Sequence, residues 1–103
     1  MQQANIAALK KTANELRRNI ITMIYEAQSG HPGGSLSISD ILSYLYFEEM
    51  NIDPKNPDME NRDRFVLSKG HTAPGLYSAL ANRGYFPVED LKTLRHLGSY
   101  LQG

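Results

Sequence analysis

Apolar side chains at Ile6, Leu9, Ala13, Leu16, Ile20, Met23 and Ala27 recur three and four residues apart, the repeat that keeps one face of an α-helix apolar. Lys10, Lys11, Arg17, Arg18 and Glu26 fall largely on other faces. The pattern predicts a first helix ending at Ser29-Gly30, where glycine can take the left-handed conformation and Pro32 blocks resumption. A second helix is expected from near Ser37, whose hydroxyl can cap free amides with Asp40 three residues on. Its Ile38, Ile41, Leu42, Leu45, Tyr46 and Phe47 make it apolar nearly all round, so it should be buried. Residues 51–64, NIDPKNPDMENRDR, hold two prolines among Asn and Asp and show no apolar period. They read as a long surface loop, and ordered loops of that kind are often functional. RFVLS at 64–68 brings Phe65, Val66 and Leu67 together, the short apolar run of a buried parallel strand. Thr72 is expected to cap a helix starting about Pro74, with Leu76, Tyr77 and Leu80 inward and Gly84 at its end. A last helix from about Val88 uses Leu91, Leu94 and Leu97 and stops at Gly98, with His96 in its last turn, where a cation favours the helix dipole. The predicted order is helix, helix, strand, helix, helix: an α/β class chain, mostly helical, without repeats or internal boundaries.

Composition narrows the classes of function. At 103 residues the chain is one small domain or a piece of a larger one. Eleven basic side chains balance eleven acidic ones with no basic block, so nothing supplies the positive field that nucleic acid or an anionic membrane requires. Without cysteine there are no disulfides or thiolate metal sites, which fits a reducing cytoplasm. No run approaches the roughly 18 apolar residues of a membrane span, and MQQANIAALKK lacks the apolar core of a signal peptide. The expectation is a soluble, cytoplasmic protein with neither nucleic acid nor membrane as partner.

Two Gly-His corners carry the candidate chemistry: QSGHPGGSLS at 28–37 and LSKGHTAPG at 67–75. In α/β folds ligands gather beyond the carboxyl ends of strands, where a helix N-terminus offers free amides to an anion, and His71 is expected at such a corner. Gly70 permits close approach of backbone or ligand, and a neutral imidazole donates one hydrogen bond while accepting another. From chemistry alone a tight turn with the ring bonded to a carbonyl explains His71 equally well. GHPGG lacks the spacing of a phosphate-cradling loop, so His31 reads first as a turn residue. Other sites fall away. His31, His71 and His96 lack the close i, i+4 spacing of zinc ligands, and Asp53, Asp58 and Asp63 are too widely spaced for a calcium loop. Tyr44, Tyr46 and Phe47 have no basic groove beside them, and no Ser-His-Asp or Gly-x-Ser-x-Gly arrangement is present. Any chemistry has to use the two Gly-His corners together.

SGHPGG, NRDRFVLSKGH, GLYSALANRGY and EDLKTLRHLGS, in this order and spacing, resemble the start of transketolase, a similarity running from about Ile20 to Gly103. LSKGHTAPGLY is most similar to the split form of that family, in which the cofactor domains lie on two polypeptides. Lys69 stands where single-chain members usually have Asn. The related deoxyxylulose-phosphate synthases differ around both histidines and match less well. The resemblance implies a thiamine diphosphate-binding fold with a parallel sheet, of which 1–103 is a single partial domain, the N-terminal portion of the diphosphate-binding domain. It also implies transfer of a two-carbon ketol unit from a ketose phosphate to an aldose phosphate, a reaction of the pentose phosphate pathway. Thiamine diphosphate and a divalent cation, Mg2+, are the cofactors it implies for the complete enzyme.

By position in those motifs, His71 is implied to touch the cofactor's diphosphate and the reacting sugar. His31 is implied to bond substrate hydroxyls and help proton transfer, and Arg95 to support substrate binding. No metal ligand is implied within this chain. The implied partners are sugar phosphates, the remaining transketolase segments or a second polypeptide, and further copies in a homo-oligomer. The family's third substrate histidine would follow Gly103, its metal-holding Gly-Asp-Gly to Asn motif lies further on, and its activating glutamate belongs to another domain. The isolated chain is therefore expected to bind no cofactor and to be inactive. A rival reading makes it a non-catalytic helical interaction module, with the first helix as a dimerisation surface and the histidines as turn residues.

Overall fold

The first helix forms as its period requires. α1 runs Gln3–Ala27 in the structure, a computed structural model that describes residues 3–102. Ala13, Leu16, Ile20 and Met23 are buried and Ile6, Leu9 and Ala27 half-buried, so a single apolar stripe faces the rest of the chain. The helix closes earlier than expected. Gln28, not Gly30, first turns left-handed, at φ 57°. Its backbone N–H and its side-chain amide both donate to the Tyr25 carbonyl, at 3.2 and 3.1 Å, which compensates a non-glycine residue for that conformation.

The second helical run also begins early. α2 (Gly33–Ser37) and α3 (Ser39–Tyr44) are separated at Ile38, and α3 continues into a π-helical turn over Leu45–Glu49. Ser37 caps nothing: its hydroxyl donates back to the Gly34 carbonyl at 2.9 Å, and Asp40 pairs with Arg17 of α1 at 2.9 Å. Leu42 and Tyr46 are buried as expected, whereas Ile41 remains 59% exposed. A second stripe escapes a hydrophobic reading. Ser35, Ser39 and Ser43, each four residues on from the last, are all buried and all bonded. Ser43 donates to the Leu9 carbonyl at 2.7 Å, Ser39 to that of Ser35 at 3.1 Å, and Ser35 to that of Thr72 at 3.3 Å. Among the described residues these small side chains bring backbones together without leaving a buried polar side-chain atom unpaired.

No strand forms among the described residues, which corrects the expectation for 64–68. Phe65 and Leu67 are half-buried while Val66 is 82% exposed, the alternation of a strand, yet a strand exists only through a neighbour's ladder of hydrogen bonds. Among the described residues no second strand pairs with it. The described chain is mostly helical, and the α/β expectation is met only in its helical part.

α4 (Ala73–Arg83) follows a 3-10 turn at Gly70–Thr72 and ends on Gly84 at φ 110°. The expected last helix is instead a 3-10 turn, Val88–Thr93, so Leu91 and Leu94 are buried while Leu97 stands in solvent. The turn ends at Thr93, so the backbone no longer carries Leu97 round to the face that Leu91 occupies. Two apolar cores share α1 and α4: Leu16 packs with Leu42, Tyr46 and Ala79, and Met23 packs with Ala81, Leu91, Leu94 and Leu101. The 51–64 loop is closed at its neck, where Asn51 and Asp63 exchange bonds of 2.7 and 2.8 Å. Among the described residues no helix is long and apolar enough to cross a membrane.

Candidate functional site

The two Gly-His corners are packed against each other at Gly34. A Cβ there would lie 2.5 Å from Thr72 Cγ2 and 3.2 Å from His71 Nε2, so the contact requires glycine. Ser35 locks the next step of the interface. Its hydroxyl accepts from the Gly75 N–H at 3.1 Å, supplying from α2 the cap of α4 that Thr72 was expected to provide. Thr72 instead turns its hydroxyl back onto the Lys69 carbonyl at 2.7 Å.

This packing corrects the expected source of anion binding. The Thr72 N–H donates to the Lys69 carbonyl at 3.0 Å, that of Ala73 to the Gly70 carbonyl, and that of Gly75 to Ser35. Pro74 has no N–H. The start of α4 therefore has no uncommitted amide over residues 72–75 to offer an anion.

Arg95 fastens the first corner from the far end of the chain. At φ 62° it projects its Nη1 to donate to the Ser29 carbonyl at 2.9 Å and the Ser29 hydroxyl at 3.3 Å. Gly30, at φ 117°, is required twice, since a Cβ there would also lie 2.8 Å from that nitrogen. All three candidate residues thus converge on the segment 29–35: Arg95 on Ser29, His31 within it, and His71 against Gly34. Sequence reasoning misses Ser29 and Ser35, which hold the corner in place; the regular spacing of Ser35, Ser39 and Ser43 is the available signal.

Both imidazoles are exposed, and among the described residues neither makes a hydrogen bond, so neither ring is tied to a carbonyl as a simple turn histidine would be. His96 differs. Its Nε2 lies 3.3 Å from the Glu26 carbonyl and donates to it, so it meets the C-terminal end of α1 and not the last turn of a helix of its own. Gly33 and Gly70 form another contrast with Gly34, because a Cβ on either meets nothing within 4 Å and neither has a positive φ. Nothing in the packing of the described residues calls for glycine at those two places.

A cleft of about 420 Å3 runs between Asp90 and Tyr100, with His96 and Leu97 on its wall, and it contains neither His31 nor His71. In it the Tyr100 hydroxyl donates to Asp90 at 2.5 Å, a bond that pushes the phenol's pKa up to about 12. Among the described residues no three His, Asp or Glu side chains gather as metal ligands.

Residues 8–103 match the transketolase thiamine diphosphate binding domain, and the chain belongs to that family. It is 52% identical over 93 residues to the 6-deoxy-6-sulfo-D-fructose transketolase subunit SqwG of Clostridium sp. (strain MSTE9), covering 90% of this chain and 34% of that protein. It is 44% identical over 104 residues to the transketolase of Mus musculus, 98% of this chain and 16% of the relative. A third similar protein, an apulose-4-phosphate transketolase subunit of Phocaeicola vulgatus, is 38% identical over 98 residues, 95% of this chain and 35% of its own length. The chain spans little more than a third of these relatives at most, and two of the three are named as subunits.

Proposed function

We propose that this chain is the N-terminal portion of the diphosphate-binding domain of a transketolase and contributes one wall of its active site. The observation that best supports this is the contact at Gly34, which sets two distant motifs side by side while leaving both imidazoles unengaged. The enzyme transfers a two-carbon ketol unit from a ketose phosphate to an aldose phosphate. Thiamine diphosphate, when bound, supplies the carbanion-stabilising chemistry. The residues of this chain bind, orient and move protons around it. His71 is the contact to the diphosphate and to the reacting sugar. His31 bonds substrate hydroxyls and holds or releases a proton at its imidazole nitrogen. Arg95 keeps the backbone before His31 in place through Ser29, a supporting role in substrate binding.

Gly33 and Gly70 suit the cofactor, because their open sides let a ligand come against bare backbone. The divalent cation, Mg2+, takes its ligands from the remaining segments in this reading. Residues 64–68 become a strand of a parallel sheet once those segments supply a neighbour. The subunit names of two relatives favour a second polypeptide as their source. Assembly into a homo-oligomer, sugar phosphates as substrates, and a place in the cytoplasm and the pentose phosphate pathway complete the reading. The interaction-module alternative is weakened because α1 buries its apolar stripe within its own chain.

The test is reconstitution. The chain joined with the remaining segments, given thiamine diphosphate and Mg2+, is expected to transfer the ketol unit from xylulose 5-phosphate to ribose 5-phosphate, and the chain alone is expected to transfer none. Turnover by the chain alone, or none by a folded assembly with any ketose phosphate, overturns the proposal.

A further inference from the structure

Lys69 is the remaining cation at the junction of the two corners. Its side chain is half-buried, and its Nζ reaches the Gly34 carbonyl at 3.5 Å, the outer limit of a hydrogen bond. The ion pairs among the described residues are Arg17 with Asp40 and Arg18 with Glu15, and Lys69 takes part in neither. A half-buried ammonium with one weak neutral acceptor still has donors to give, and among the described residues no carboxylate pairs with it. Its placement is not left to the side chain alone. The Lys69 carbonyl accepts from both the Thr72 hydroxyl and the Thr72 N–H, at 2.7 and 3.0 Å, so the backbone that carries it is fixed to the turn bearing His71. His71 Nε2 in turn abuts Gly34, whose carbonyl Lys69 reaches.

The amides over residues 72–75 are committed within the chain, so they are not available to an anion here. Two side chains are: Lys69 and His71. On either side of them Gly33 and Gly70 leave backbone open to approach.

We infer that Lys69 is a diphosphate-binding residue, its ammonium receiving a phosphoryl oxygen of the cofactor between the two Gly-His corners. This rests on the reading of the chain as part of a thiamine diphosphate enzyme. Lys69 is at the same time a tether, since the anion and the Gly34 carbonyl share its three donors. A charge-assisted contact of this kind contributes more than a neutral hydrogen bond, so its loss is expected to weaken binding about tenfold.

The experiment titrates thiamine diphosphate and, separately, inorganic pyrophosphate into the assembled enzyme by calorimetry, with Lys69→Met and Lys69→Arg beside the wild type. Lys69→Met is expected to weaken both ligands about tenfold, with a gap to wild type that narrows at high salt. Lys69→Arg, which keeps the charge, is expected to retain most of the affinity, and the KM for the sugar phosphate is expected to stay the same in both. Wild-type pyrophosphate affinity in Lys69→Met with a raised sugar-phosphate KM would assign the cation to substrate and overturn the inference. So would unchanged affinities with only a lower melting temperature, which would leave Lys69 a tether alone. Equal losses in Lys69→Met and Lys69→Arg would also overturn it, because charge would then not be what matters. A folded wild-type assembly that binds neither ligand would overturn the underlying reading, and this inference with it.

Discussion

Around His71 the backbone is held from within its own turn and by α2, whereas around His31 it is held by Arg95 reaching from the far end of the chain. In the His71 corner Thr72, Ala73 and Gly75 all commit their amides, and Ser35 stitches the turn to α2. In the His31 corner the chain leaves α1 through two left-handed residues, Gln28 and Gly30, and the guanidinium of Arg95 takes up the Ser29 carbonyl. The same dipeptide therefore sits in a rigid frame in one place and in an irregular one in the other. A Gly-His pair carries no geometry of its own. What glycine does differs by position: Gly30 takes a positive φ, Gly34 makes room for a neighbour, and Gly33 and Gly70 leave space that the described residues do not fill. A turn held from within suits a contact that has to hold a cofactor throughout a cycle, while a corner held from a distant segment suits a donor that meets a passing substrate.

The largest effect that would sharpen the contrast is on turnover. In the assembled enzyme His31→Ala is expected to lower kcat by a factor on the order of 100, like loss of one oxyanion donor, with thiamine diphosphate affinity nearly unchanged. Steady-state kinetics beside calorimetry check it, and a loss of cofactor affinity would erase the distinction between the corners. Next comes the contact that joins them. Gly34→Ala should destabilise the assembly by about 1–3 kcal/mol, because its Cβ has to displace Thr72 and the turn behind it is fixed by backbone bonds. Denaturant unfolding measures this, and an unchanged midpoint would mean that the corners do not depend on each other.

The open glycines give a smaller and opposite signal. Gly33→Ala and Gly70→Ala are expected to leave stability unchanged or raise it by about 0.4–1 kcal/mol, through the unfolded chain, while weakening thiamine diphosphate binding. Variants that bind the cofactor as the wild type does would show that these glycines face something else. The smallest effect lies away from both corners, in the 90–100 cleft. The folded pKa of Tyr100 is raised above its ordinary value to about 12, so the Tyr100–Asp90 bond contributes stability that is fully present below about pH 10 and is lost as pH rises toward 12. Tyr100→Phe should remove that dependence in alkaline melts without touching either histidine.

Those regions also differ in how plainly the sequence announces them. α1 and α4 are readable because their apolar stripes are repeated and because Gly84 closes α4 at a positive φ. The start of the second helix is not, since Ser37 looks like a cap but bonds backwards, and the helix already begins at Gly33 behind Pro32. The strand at 64–68 cannot be judged locally. Its alternation is genuine, but pairing is a property of two segments and the described residues hold only one. The 3-10 turn over Val88–Thr93 is not legible in the leucine spacing, since only Leu91 lies within it and Leu97 falls beyond its end, where the chain has left the helical path. For the candidate site, His31, His71 and Arg95 follow from a family resemblance. Their meeting place is not visible in it, because it depends on Ser35 and Gly34, small residues whose importance lies in what they allow to come close.

The corners are separated most directly by titrating thiamine diphosphate into the assembled enzyme carrying His71→Ala, alongside His31→Ala and His96→Ala. His71→Ala is expected to bind the cofactor more weakly and to turn over more slowly, both at once. His31→Ala is expected to keep its cofactor affinity, and His96→Ala, whose ring only meets the end of α1, to change little in either. A folded His71→Ala enzyme with wild-type affinity and wild-type rate would return His71 to being a turn residue and remove the basis for treating the two corners as one site.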